Sequence, residues 1–170
     1  MDLQTLSQLA EVFGFIAVLA AIIFGYIQIK DAQHQRNDLA AIELVRSFQN
    51  SEFTTAFRLI HSLPENIPAD EFEAKGTEYI DAAYALSFDF ETTGVLVYRG
   101  VIPLAAVEQL IGGIAITLWK RLSPWIHHAR KEQSQEQILE WFQWLAERLE
   151  ERSQGDTEPA FIKHKDWKPS

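Results

Sequence analysis

The sequence predicts an all-α protein in which one N-terminal transmembrane helix continues into an antiparallel helical bundle. Three observations predict this class. Residues 12–29 form an uncharged apolar run, apolar residues recur every three to four positions over most of the remaining chain, and no stretch of useful length alternates as a strand does. The 170 residues, 47% of them hydrophobic and 23% charged, suit one folded domain with one core.

The apolar run VFGFIAVLAAIIFGYIQI lies between Glu11 and Lys30, and its 18 helical residues would cover roughly 27 Å, close to the hydrocarbon thickness of a bilayer. A cleaved signal peptide is disfavoured because the preceding residues carry no positive charge and no A-x-A site follows. A buried core helix is disfavoured because the run has no polar face. The predicted span is marked by Val12, Phe13, Gly14, Ala17, Ala20, Ala21, Gly25, Tyr26 and Ile29.

Basic residues flank only one end of this span. No Lys or Arg precedes it, whereas Lys30, Arg36 and Arg46 follow it. The positive-inside rule therefore places the N-terminus outside and the rest of the chain in the cytoplasm. The resulting division is a short external N-terminus at 1–11, the span at 12–29, a cytoplasmic helical bundle at 30–152 and a polar C-terminal tail at 153–170.

Breaks in the periodicity divide the bundle into helices. The first helix is expected to continue as a stalk to a break near Asn50-Ser51-Glu52, since Asn and Ser are good N-caps. A loop follows around Pro64 and Pro68, and Asp70 is expected to cap the next helix. That helix is apolar on two sides, which predicts a central position, and Gly100 is expected to end it.

The second half of the bundle begins at Pro103, which is expected to open a helix. The adjacent Gly112 and Gly113 cost about 1 kcal/mol each relative to Ala inside a helix, so we expect another backbone to approach closely there. Pro124 is expected to kink or restart this helix. An amphipathic pattern predicts the last helix over 135–152, and FIKHKDW beyond it contains enough apolar residues to dock as a short segment.

The tryptophans are the candidate interface residues. Several in a small bundle bury a large area, but a single-layer core does not have room for all of them. Exposed ones would mark a subunit interface or a surface that faces the membrane. The four concerned are Trp119, Trp125, Trp141 and Trp144.

Charge and composition exclude several functions. The net charge of −9 argues against a nucleic-acid surface, although not against a small basic patch, and favours membrane attachment by insertion over adsorption to anionic headgroups. Without cysteine there is no disulfide, zinc knuckle or thiol nucleophile. The five histidines show no chelating spacing, and no phosphate-binding or serine-hydrolase motif occurs. We therefore expect no metal and no cofactor.

Three acidic residues fall in the predicted central helix. Asp81, Asp89 and Glu91 either form a buried acid cluster or, as we favour, are paired with arginines such as Arg58 or Arg99.

A family resemblance extends over most of the chain. LVYRGVIP, VEQLIGG, LWKRLSPWI and WFQWLAERL follow one another between about Gly94 and Arg148, behind an apolar helix that ends YIQIKDAQHQR. In this order and spacing, the chain resembles a widespread family of bacterial membrane-anchored helical proteins of unknown function. The resemblance implies an α-helical bundle at the cytoplasmic face of the bacterial inner membrane, and it implies no chemistry.

The layout is more distantly similar to the small membrane accessory protein of type VI-B CRISPR systems, which resembles HEPN helical domains. That similarity implies a ring-shaped homo-oligomeric pore. HEPN ribonucleases use an Arg and a His a few residues apart, and five residues separate Arg121 from His127 here. In HEPN motifs a polar residue usually follows that Arg directly, whereas in this chain Leu122 occupies the position after Arg121. The plainer interpretation is that Arg121 pairs with a carboxylate of a neighbouring helix and that His127 lies at a polar helix end.

Three functional hypotheses follow. The first is a non-enzymatic, single-span membrane protein that self-assembles, as a pore or as a tethered effector. The second is a tethered scaffold that recruits a cytosolic protein, and the third is a HEPN-like ribonuclease. The first is favoured because the small residues of the span allow close helix approach. Its expected partners are membrane lipid and further copies of the chain.

Overall fold

A computed structural model describes residues 3–153, 155 and 158–168, with the side chains of 3–12, 34 and 38 outside the description. The described residues form helices and contain no strand, so the predicted all-α class is confirmed. The helices are α1 (Leu3–Phe48), α2 (Ser51–His61), α3 (Ala69–Glu73), α4 (Thr77–Tyr98), α5 (Leu104–Gln133), α6 (Glu140–Ser153) and α7 (Ala160–Lys163).

The chain divides into two compact units. The first is Met1–Ala40, whose described part is the N-terminal portion of α1. The second is Ala41–Ser170, which holds the end of α1 and the other helices. We call the second unit the helical domain. The structure describes no side chain of residues 1–11, the expected external N-terminus, or of Val12, the first residue of the predicted span.

The break at Asn50 is confirmed. Helix α1 ends at Phe48, and the Asn50 side-chain oxygen accepts a hydrogen bond of 2.6 Å from the backbone N–H of Phe53 in α2. This bond satisfies one of the donors that a helix N-terminus leaves unpaired, which explains why a new helix begins here.

The expected cap at Asp70 is wrong. Pro68 precedes α3 and provides no side-chain cap. Asp70 lies in the first turn of α3, where its negative charge interacts favourably with the helix dipole. The single helix expected from here to Gly100 is also divided in two. Gly76 adopts a φ of 102° between α3 and α4, a conformation that favours glycine.

Helix α5 runs through Pro124 without restarting, over 30 residues. Proline has no N–H to donate to the carbonyl four residues earlier, here that of Lys120. The backbone N–H of Asn66, in the loop between α2 and α3, donates a 2.8 Å hydrogen bond to that carbonyl instead. A tertiary contact therefore replaces the missing helical bond, which sequence periodicity does not reveal.

The core of the helical domain lies around α4, which contacts both α2 and α6, as its two apolar sides predicted. Phe90 of α4 is fully buried, and its ring centroid lies 5.3 Å from that of Phe48 and 5.2 Å from that of Phe142. Helix α5 contributes to the same domain through contacts with α6. The largest fully buried aliphatic side chains are Ile60, Leu86, Leu118, Leu122, Ile126, Leu145 and Leu149.

Candidate functional site

The side chains of the apolar run of α1 are exposed in the isolated chain. Among the described residues, one helix is long and apolar enough to cross a membrane, over Phe13–Phe48 of α1, and none of its most apolar stretch is buried. Phe24 is 61% exposed and Tyr26 is 69% exposed. A large, contiguous apolar surface marks a site of contact with membrane or protein. This run is therefore the clearest functional feature of the molecule.

Four small residues of the run fall on one side of α1. At about 100° per residue, helical geometry places Gly14, Ala17, Ala21 and Gly25 within roughly 80° of one another, whereas Ala20 lies on a different face. Among the described residues, a Cβ at Gly14 or at Gly25 would meet nothing within 4 Å. We call these four residues the small-residue face.

Arg121, one of the two catalytic candidates, holds a loop. Its Nε donates to the carbonyl oxygen of Leu63 at 2.9 Å, and one terminal nitrogen donates to that of Thr117 at 3.1 Å. The same nitrogen lies 3.6 Å from a carboxylate oxygen of Glu65, and only 12% of the Arg121 side chain is exposed. The guanidinium group therefore binds the loop between α2 and α3. Its expected carboxylate partner exists, but in a loop rather than on a helix.

His127 is separated from Arg121 by six positions of α5. Six helical positions correspond to about 9 Å of rise and about 120° of rotation, so the two side chains do not converge within one copy. His127 is exposed, and its ring centroid lies 5.8 Å from that of Trp119. Its pKa is lowered by burial of part of the ring and by the positive charges of Arg130 and Lys131. The ribonuclease hypothesis would therefore require the two side chains to meet across a cleft between two copies of the chain.

The four tryptophans divide into two kinds. Trp125 is buried between the rings of Phe72 and Tyr84, at centroid distances of 5.4 and 5.0 Å. Trp119 is half-buried against Phe142 at 5.3 Å. These two complete the packing of the domain.

Trp141 and Trp144 lie at the surface. Both are half-buried, and their ring centroids lie 4.7 and 6.1 Å from that of Tyr98, which is 65% exposed. We call Tyr98, Trp141 and Trp144 the surface aromatic cluster. Its members are rigid, amphipathic side chains of the kind enriched in protein interfaces.

No described residue makes the close backbone approach expected at Gly112 and Gly113. A Cβ at Gly112 would lie 3.6 Å from a methyl carbon of Leu149, an ordinary contact, and one at Gly113 would meet nothing within 4 Å. The close approach is at Gly94 instead. A Cβ there would clash with the carbonyl group of Trp141, with 2.9 Å to the carbonyl carbon. Sequence reasoning missed Gly94 because a single glycine in a helix gives no sign of what faces it.

The expected pairing of the α4 acids with Arg58 or Arg99 is wrong for the part of the chain that the structure describes, where no such ion pair occurs. Asp81 is exposed. Burial raises the pKa of Asp89.

Glu91 has a structural role instead. Its carboxylate accepts a 2.7 Å hydrogen bond from the backbone N–H of Phe142, in the first turn of α6. It therefore caps that helix from another element. Burial raises the pKa of Glu91, and hydrogen bonds from the backbone N–H groups of Phe142 and Trp141 oppose this increase.

Arg130 is a buried charge that sequence reasoning missed. It is 6% exposed, and its guanidinium donates to the carbonyl oxygens of Ile138 and Leu139 at 2.8 and 3.2 Å and to the side-chain oxygen of Gln143 at 2.6 Å. These bonds lie at a run of turns over residues 136–139, in which Leu139 has a φ of 55°. Helix α6 therefore begins at Glu140 rather than at the expected residue 135.

The remaining surface offers little chemistry. Among the described residues, no group of three His, Cys, Asp or Glu side chains is placed to hold a metal ion. An open groove is lined by Phe57 and His61 of α2 and by residues 108–114 and Thr117 of α5, among which His61, Glu108, Gln109 and Thr117 are polar. In the tail, α7 and the residues after it expose Phe161, Ile162 and Trp167, so the expected docking of this segment is not seen.

Comparison with known proteins identifies one relationship. The sequence profile of the family described as "Domain of unknown function (DUF4760)" matches residues 15–149, well over half of the chain. No curated protein and no solved structure is found to match. The matched range includes most of the apolar run and the helical domain through α6.

Proposed function

The chain belongs to the DUF4760 family, and from that premise we propose that it is a single-span protein of the bacterial inner membrane that self-associates and presents a helical domain to the cytoplasm. The observation that carries this proposal is the exposure of the apolar run of α1. Leaving such a run in water costs about 25 cal/mol for each Å² of apolar surface. A bilayer removes that cost without requiring any partner within the chain.

The charge around the run supports the orientation. Lys30, Arg36 and Arg46 follow it, and no Lys or Arg precedes it. Membrane insertion retains such flanking positive charge on the cytoplasmic side. The proposed topology is therefore N-terminus outside and helical domain inside.

The absence of cysteine makes the topology directly measurable, since any introduced cysteine is the single labelling site. Ser7→Cys would mark the N-terminal side and Ser153→Cys, which is exposed, would mark the helical domain. In intact spheroplasts, a membrane-impermeant maleimide should label the first and not the second until detergent is added. The reverse pattern would refute the orientation, and release of the unmodified chain by alkaline carbonate would refute the anchor.

Self-association is proposed to use the small-residue face. Small side chains let two transmembrane helices approach closely enough for extensive van der Waals contact. Because no charged residue occurs between Glu11 and Lys30, the span favours helix association over the lining of an aqueous pore.

The test compares two leucine substitutions in the same helix. Ala21→Leu enlarges the small-residue face, whereas Ala20→Leu makes the same change on another face and serves as the matched control. In mild detergent, native mass measurement should show an oligomer for the unmodified chain and for Ala20→Leu, and a smaller species for Ala21→Leu. A monomeric unmodified chain would refute self-association, and equal effects of the two variants would refute the assigned face.

A tethered scaffold is the second candidate function, and the surface aromatic cluster favours it. Exposed Tyr and Trp side chains commonly provide the energetic centre of a protein interface. Tyr98→Ala should then reduce capture of a cytosolic protein by the detergent-solubilised chain and leave its oligomeric mass unchanged. Recovery of the chain alone, with and without the substitution, would count against this function.

A further inference from the structure

The C-terminal segment, which we define as residues 160–168, combines exposed aromatic side chains with positive charge. Phe161 is 78% exposed and Trp167 is 71% exposed. The segment contains three lysines and one aspartate, for a net charge of +2, whereas the whole chain carries −9. The segment is therefore more basic than the chain as a whole, with Glu158 two residues before it, and it carries apolar surface that the described chain leaves uncovered.

The segment also has defined local structure. Pro159 precedes α7, and the backbone N–H of His164 donates to the carbonyl oxygen of Ala160 at 2.9 Å. The N–H of Trp167 in turn donates to the carbonyl oxygen of His164 at 3.0 Å. These bonds hold the aromatic and basic residues in a short, compact unit.

We propose that the C-terminal segment binds the surface of an anionic bilayer, with Phe161 and Trp167 at the level of the lipid headgroups. A tryptophan ring, which has one polar edge, is favoured at that depth, an apolar phenylalanine ring inserts beside it, and lysines are attracted to the negative potential of anionic lipid. The inference rests on the proposed membrane anchor, which keeps a bilayer at high effective concentration around the segment. It adds a second, reversible contact with lipid to the permanent one.

The size of the segment favours a bilayer over a second copy of the chain. A stable protein interface uses about 20–30 residues on each side, arranged to match the partner in shape. Nine residues, with three lysines, a histidine and an aspartate among them, provide less than this. A headgroup layer requires no matching shape, so two aromatic side chains and a small positive charge add a contact to the binding that the anchor already provides.

The test places an environment-sensitive fluorophore next to Phe161. The full chain carrying Ala160→Cys, labelled with a nitrobenzoxadiazole maleimide, is reconstituted in nanodiscs of phosphatidylcholine alone or with an equal amount of phosphatidylglycerol. We expect blue-shifted, stronger emission in the anionic discs, and loss of this shift in high salt because salt screens the attraction. Phe161→Ser with Trp167→Ser should abolish the shift without unfolding the domain, since both residues are exposed.

Two comparisons make the result specific. Lys165→Gln with Lys168→Gln should remove the difference between the two lipid compositions. The same label at Ser62→Cys, an exposed position of the helical domain, should show no such difference. Three results would overturn the proposal: equal emission in both lipids, a shift that survives loss of the two aromatic side chains, or an equal shift at Ser62. A shift that depends on the number of chains per disc would overturn it as well, because a second copy of the chain would then be the occupant.

The result can be separated from that of the proposed anchor. Integration of the chain into discs of both compositions, measured by co-purification, tests the anchor independently of the fluorophore. If the chain integrates and the emission does not change, only this inference fails. If the chain does not integrate, mixing it with preformed vesicles of the same two compositions gives the same readout, and the anionic vesicles alone should produce the shift.

Discussion

Helices α1 and α4 both contain long apolar stretches, but the side chains are exposed in α1 and largely buried in α4. Phe90 of α4 is fully buried by rings from other helices, whereas Phe24 of α1 is 61% exposed within the chain. Helix α4 has partners on α2 and α6 that remove its apolar surface from water. The side chains of the apolar run of α1 are exposed, and the run is long and apolar enough to cross a membrane, which is the environment that we propose for it.

The two regions also differ in how they treat polar groups. The helical domain buries Arg130 and part of Glu91, and both make hydrogen bonds to backbone groups near the start of α6. The apolar run contains no charge to satisfy. Stability of the domain therefore depends on specific partners, whereas the proposed insertion of the run into a membrane would depend on its composition.

The largest expected effect is on the domain. Phe90→Ala should lower its free energy of unfolding by about 3–5 kcal/mol, because it removes a buried ring and leaves a cavity between Phe48 and Phe142. Phe88→Ala, at an exposed position of the same helix, should change it by less than about 1 kcal/mol. Chemical denaturation followed by far-UV circular dichroism measures both. Extraction from membranes should be unchanged, and a change in extraction would contradict the separation of the two regions.

The second effect is confined to the apolar run. Ile23→Arg should reduce membrane integration, since an arginine at the centre of a span costs about 2.5–3.5 kcal/mol on insertion scales. The fraction that resists alkaline carbonate measures this loss, with Ile23→Leu as the control. The thermal midpoint of the soluble fraction's helical domain should equal that of the parent. Full integration of the arginine variant would show that the run does not cross the membrane.

The third effect distinguishes two glycines of the domain. Gly94→Ala should destabilise it by about 1–3 kcal/mol, because the added methyl group forces α4 away from the Trp141 backbone. Gly113→Ala should stabilise it by up to about 1 kcal/mol, because that position is open and alanine is the better helix former. Denaturation midpoints of the two variants should therefore move in opposite directions. A loss of stability in Gly113→Ala would indicate a contact supplied by another copy.

The same glycines illustrate what sequence could and could not predict. Local signals predicted the helical class, the break at Asn50, the turn at Gly100 and the central position of α4, because capping and periodicity depend on neighbouring residues. They did not predict Gly94, since the facing carbonyl of Trp141 is 47 positions away in the chain.

The functional residues show the same limit. The apolar run could be predicted, because membrane compatibility is a property of composition. The roles of Arg121 and Arg130 could not, because both guanidinium groups bind backbone carbonyls in loops. Hydrogen bonds to carbonyls depend on backbone position rather than on residue type, so no sequence motif records them. The Arg–His spacing was visible, and the contacts of Arg121 explain that arginine without catalysis.

The smallest expected effect concerns the pH dependence of the domain. Burial raises the pKa of Asp89 above its ordinary value of 3.8, so the folded domain binds this proton more tightly than the unfolded chain does. The stability associated with the protonated form is therefore complete below pH 3.8 and is lost as pH rises through the folded pKa. Asp89→Asn, which stays uncharged, should be more stable than the parent at pH 7, and this advantage should disappear in acid. Thermal midpoints of the two proteins across this range measure the difference, with Asp81→Asn at an exposed position as the control. If the parent is instead the more stable of the two at pH 7, the Asp89 carboxylate has a favourable partner. The Asp89 face of α4 would then resemble the apolar run of α1 in depending on a contact that the single chain does not show.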